Sequence, residues 1–146
     1  MLLLGFGLLL SIVKTNSLTS LVYTLVCTAL VLQMYILIQG FWVQVFTVFE
    51  KSFHILMDEK LLIKGCYCVC SVLIAMGGII GRINPTDLVK FISLHVMGYA
   101  LNEQIIYKTL GAFDAGGGMA IHVFGCYYGL AVNFVLARYA RPTIRP

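Results

Sequence analysis

Charge is scarce in this sequence. Only 11% of its 146 residues are charged, 10 Lys and Arg against 6 Asp and Glu, whereas a soluble domain keeps roughly a quarter charged to cover its surface. That scarcity excludes an ordinary soluble globule. No basic patch with interleaved aromatics is present, which speaks against a nucleic-acid partner. The first apolar stretch, 1–13, lacks a basic leader, and no small-residue cleavage site follows it. It therefore reads as a short or truncated membrane helix rather than a secretory signal. No histidine stands near Cys66, Cys68 and Cys70 to complete a zinc set. Together with Cys27 and Cys126 they lie inside apolar segments, so they read as packing residues, without metal or disulfide framework. N-glycosylation acceptors, repeats and low-complexity tracts are absent as well.

What is present is apolar: 60% hydrophobic residues and a mean hydropathy of +0.95, gathered in long blocks between short polar breaks. This is the pattern of an all-α, polytopic transmembrane helix bundle of about five helices. The helices are expected over 1–13, 18–42, 61–80, 88–110 and 115–137. A mixed stretch over 44–60, with Phe46, Phe49, Phe53 and Leu56 at near-helical spacing, reads as an amphipathic segment on the membrane surface. Gly81-Arg82-Ile83-Asn84-Pro85 closes the third helix. Thr86 or Asp87 is expected to cap the fourth, and Asp114 the fifth. Lys14, Arg82, Lys90, Arg138, Arg141 and Arg145 against Asp87 mark one side as cytoplasmic; Lys51, Lys60, Lys64 and Lys108 with Glu50, Asp58, Glu59 and Asp114 mark the other. The amino terminus then lies outside and the carboxyl terminus inside.

Within these helices ionisable residues are expensive unless they face protein or a polar path. His95, Glu103 and His122 are the three in question. Glu103, between Asn102 and Gln104, reads as a hydrogen-bonding strut between helices in preference to a direct transport residue. His95 reads as a buried hydrogen-bonding residue. On a regular helix His122 shares a face with Gly118, Gly125 and Gly129. Three glycines there make a groove that admits a small substrate or, as a GxxxG step, another backbone. His122 thus lines a pathway or lies beside a tight helix contact. Asp114 is most simply a cap, and its charge would also draw cations towards that mouth. Tyr67, Phe124, Tyr127 and Tyr128 could hold a small cation against a ring face, although most aromatics at such positions pack.

Asp114-Ala115-Gly116-Gly117, followed by Met119, Ile121-His122, Phe124-Gly125 and Tyr128-Gly129-Leu130, strongly resembles the signature of the Rhesus-type ammonium transporters of the ammonium transporter (Amt/Rh) superfamily. Gln39-Gly40-Phe41-Trp42, the run from Val72 to Pro85, and Asn102-Glu103 fit the same family in order and spacing. The resemblance covers 21–138.

The resemblance implies a fold of eleven or twelve transmembrane helices, assembled as a homotrimer in the plasma membrane, with a narrow apolar pore through each subunit. Ammonium gives up a proton on entry, and ammonia, or a separated proton and ammonia, passes two pore histidines. His122 falls on the first of that pair. Tyr67 falls on a phenylalanine gate at the outer entrance, retaining an aromatic but adding a hydroxyl. Asp114 falls on the acidic residue below the recruitment site, Glu103 on a polar position of the preceding helix, and Gly118 where many relatives have serine. The implied activity is ammonium or ammonia transport, without catalysis or cofactor. At this length the chain is expected to be the amino-terminal half of such a fold, a fragment or truncated product. The alternative is a non-conducting membrane interaction subunit.

Overall fold

Apolar and small residues at three- and four-residue spacing dictate which faces of these helices meet. A computed structural model describes residues 17–46, 57–79 and 82–139. Among them there are four α-helices and no strand. The first expected helix, 1–13, and the middle of the expected surface segment lie outside the described residues.

Helix α1, Ser17–Phe46, has 30 residues and so measures about 45 Å, more than a roughly 30 Å hydrocarbon layer requires. It buries Thr24, Cys27, Thr28, Val31, Tyr35 and Gln39, a single stripe at helical spacing. It continues past the expected end at 42, so 44–46 belong to this helix rather than to a surface segment. Helix α2, Glu59–Gly77, takes the other end of that segment. It starts where the Asp58 carbonyl accepts from the amides of Leu61 and Leu62.

Helix α3, Pro85–Gln104, opens with proline in its first turn, where the missing N–H has no partner to lose and φ is already helical. That fixes the start upstream of the expected one. Asn84 holds the cap position, while Thr86 and Asp87 fall inside the first turn. Beyond Gln104 the chain widens into a π-turn, Ile105–Thr109. Past Asp114 it re-enters through a 3-10 turn, Ala115–Gly117, and a π-turn, Gly118–Val123. Regular helix α4, Phe124–Tyr139, follows. The fifth expected helix is thus α-helical only in its second part.

Stretches 21–46, 59–77 and 115–138 are long and apolar enough to cross a membrane. Helix α3, expected as a further crossing, is not among them. It carries Asp87, Lys90, His95, Asn102 and Glu103, and its neighbours compensate for that polarity. It packs along α1 and touches α2, while α2 packs on both α1 and α4. The core between them holds Val31 and Tyr35 of α1, Val69 and Val72 of α2, and Ile92 and Val96 of α3. These apolar helices make the chain an integral membrane protein.

Candidate functional site

Near the end of α3 sits a carboxylate that an apolar environment would not tolerate alone. Glu103 is 3% exposed. The Tyr35 hydroxyl of α1 donates to its Oε2 at 2.5 Å, and the Lys64 ammonium of α2 lies 2.8 Å from its Oε1. One side chain thereby joins three helices through a charge-assisted pair and a hydroxyl donor. The geometry is that of a strut. Lys64 was not singled out from the sequence, where it counts as a loop charge. The available signal was its place: a lysine in the second turn of an apolar helix is well placed to answer a buried glutamate.

A short distance along, Tyr107 in the π-turn lies within electrostatic reach of Asp114, Glu103 and Tyr67. The Tyr67 side chain is exposed, 46%.

Asp114 shapes the entry to α4. Its Oδ1 accepts from the Met119 amide, and its Oδ2 from the amides of Met119 and Ala120, at 2.8–3.1 Å. A carboxylate there satisfies amides that would otherwise lack partners at a helix start. Reaching them requires the chain to double back, which it does with Gly116 at φ 77° and Gly117 at φ 72°. That left-handed backbone is one glycine adopts without cost. A Cβ on Gly117 would also collide with the Ile121 side chain.

His122 belongs to the π-turn, and its side chain is exposed while its neighbour Ile121 is buried. It does not share a face with three glycines, as a regular helix would give. Gly125 and Gly129 are buried against α2 instead: a Cβ on them would come within 2.8 Å of the Ser71 carbonyl and 2.7 Å of the Ala75 carbonyl. The groove they form is therefore filled by the backbone of α2. Gly118 is exposed, and a Cβ there would meet only the Asp114 carboxylate, at 3.6 Å. Around His122 the chain displays Met119, Val123, Tyr127, Leu130 and Phe134.

His95 is the opposite case. It is fully buried and hydrogen-bonded through Nε2 to Ser71 Oγ at 3.1 Å. The rings of Phe91, Tyr99, Phe124 and Tyr128 surround it at centroid distances of 4.6–6.5 Å. Cys68 and Cys70 are buried, Cys66 is half-buried and Cys126 exposed. Among the described residues no group of His, Cys, Asp or Glu is arranged to hold a metal.

No family model matches the chain. Curated proteins do match it over 94% of its length. They include the ammonium transporter Rh type C of Xenopus tropicalis, 37% identical over 138 residues, and the ammonium transporter Rh type B of the same species, 35% over 144. The ammonium transporter Rh type C of Rattus norvegicus is 35% identical over 138 residues. The chain spans 27–29% of the length of these relatives.

Proposed function

We propose that this chain, a sequence relative of the Rh-type ammonium transporters over 94% of its length, forms one wall of a transmembrane path for ammonium or ammonia in a longer or composite protein. The observation that carries this reading is the contrast between its ionisable groups. Glu103 and His95 are buried and partnered within the chain, whereas His122 stays exposed on an otherwise apolar face. A histidine at membrane depth calls for a protein or water-filled surface opposite it, and a neutral imidazole can both accept and donate a hydrogen bond to a small nitrogen base. In this reading Tyr67 stands at the outer entrance, Asp114 holds the backbone of the mouth, and Glu103 braces the helices behind it. The chain binds and passes its substrate without covalent chemistry. A homotrimer in the plasma membrane is the assembly this reading carries.

The test is methylammonium flux in proteoliposomes of a complete Rh-type protein containing this segment. His122→Ala should lower flux at least roughly tenfold, the equivalent of about 1.4 kcal/mol of lost stabilisation along the path. Flux equal to the parent would remove His122 from the path. A second reading, a non-conducting interaction subunit, draws on the same exposed face of Val123, Tyr127, Leu130 and Phe134. It requires that the complete protein assemble normally yet show no flux above empty vesicles.

A further inference from the structure

Two arginines converge on the last turns of α4, each held by a neutral partner. Arg82, in the loop between α2 and α3, donates from Nη1 to the side-chain oxygen of Asn133 on α4 at 2.7 Å. Arg138, one turn past Phe134, lies with its guanidinium carbon 4.9 Å from the centre of that ring. Helical side chains lean towards the amino end of their helix, so the Arg138 head is drawn back to the level of 133–134, where Arg82 arrives. Both arginines are exposed, and so is the Phe134 ring. Among the described residues the ion pairs are Lys64–Glu103 and Lys90–Asp87, so the acid in the first turn of α3 is already engaged. Each guanidinium keeps its whole charge, and the Asn133 bond uses one of the five N–H donors of Arg82.

The level of this pair is that of a membrane boundary. Spans 59–77 and 115–138 run side by side in the same direction, Gly125 against Ser71 and Gly129 against Ala75. Arg82 lies just past the end of the first span, and Arg138 closes the second. On the charge count this is the end expected in the cytoplasm, and the cytoplasmic leaflet is the one that carries anionic lipids. We propose that Arg82 and Arg138, positioned by Asn133 and Phe134, bind the phosphate of an anionic phospholipid headgroup, with the Phe134 ring against its acyl chains. The planar guanidinium fork matches phosphate oxygens. The exposed ring beside the charges selects a molecule with a chain attached over a free phosphate. This inference stands on the fold alone, so it is independent of whether substrate passes His122.

The experiment is native mass spectrometry of the full chain in detergent, titrated with dioleoyl phosphatidylserine or dioleoyl phosphatidylcholine, which share their acyl chains. The wild type should bind the anionic lipid more tightly. Arg82→Gln and Arg138→Gln should each reduce that preference by roughly three- to tenfold, the contribution of one basic residue near an anionic membrane surface. Lys108→Gln removes an exposed charge at the opposite end of α3 and should leave the preference unchanged. An excess of inorganic phosphate should leave the bound lipid in place, since the ring offers it nothing. If Arg82→Gln cannot be purified, Arg138→Gln, on an exposed last turn, makes the comparison alone. Equal binding of the two lipids by the wild type would overturn the proposal. So would an unchanged preference in Arg138→Gln, a loss as large in Lys108→Gln, or displacement of the lipid by phosphate.

Discussion

Helices α3 and α4 invert what their compositions suggest. Helix α3 is the more polar, yet it turns His95, Glu103 and Gln104 inward, where they are buried. The 115–138 span is apolar enough to cross a membrane, yet only 22% of its most apolar window is buried, against 50% for the 59–77 span. The difference lies in who supplies the partners. Ser71 and Lys64 of α2 and Tyr35 of α1 answer the polar groups of α3. Helix α4 gives its glycine face to α2 and the rings of Phe124 and Tyr128 to α3, while much of the rest, like His122 in the turn before it, is left to whatever surrounds the chain. A polar membrane helix can thus be the structural one, while the conventional-looking helix presents the chemistry.

The most direct way to break that contrast is to strip the interior of α3. His95→Ala removes a ring enclosed by four others and leaves Ser71 without its partner; the expected loss is roughly 2–4 kcal/mol. Thermal unfolding of the detergent-solubilised chain would read it. His95→Phe combined with Ser71→Ala should recover most of the loss, since removing both partners of a buried hydrogen bond is close to neutral. No recovery would mean that the imidazole has a further partner.

The same contrast can be attacked from the one face α4 does bury. Gly129→Ala would place a Cβ 2.7 Å from the Ala75 carbonyl and 2.9 Å from its Cα. Both are backbone atoms, which cannot rotate away. Forcing the helices apart should cost about 1–3 kcal/mol, again read as a drop in Tm. Gly117→Ala comes next. It strains a left-handed residue, for about 1–2 kcal/mol, and should loosen the turn that Asp114 holds. Hydrogen exchange at the Met119 and Ala120 amides would report it, with unchanged protection counting against the role given to that carboxylate.

How much of this was legible beforehand depended on the kind of signal. The helices over 18–42 and 61–80 were visible as long apolar runs, because burial in lipid demands them. Asp114 was visible as a cap because a carboxylate before a glycine-led helix has few other uses. The two π-turns were not visible: an extra residue in a turn leaves the apolar pattern nearly intact but rotates what precedes it. His122 and two of its glycines, Gly125 and Gly129, neighbours by count, differ in exposure, the histidine open and the glycines buried against α2. The Lys64–Glu103 pair also escaped, since the partners are 39 positions apart in sequence, on different helices, and no local spacing links them.

The smallest expected effect on stability falls where the largest effect on function is expected. His122 is exposed, its side chain lies outside the α2 contact, and its turn is held by the Asp114 carboxylate and the glycines rather than by the imidazole. His122→Ala should therefore shift stability by no more than about 0.5 kcal/mol, as for other surface substitutions. In a complete Rh-type protein the same change should depress methylammonium flux, because the ring would then be the polar feature facing the path. A large fall in Tm for the isolated chain would show that the imidazole braces α4, and the division of labour between the two helices would not hold. An unchanged Tm with lost flux would place structure in α3 and its partners, and passage on the open face of α4.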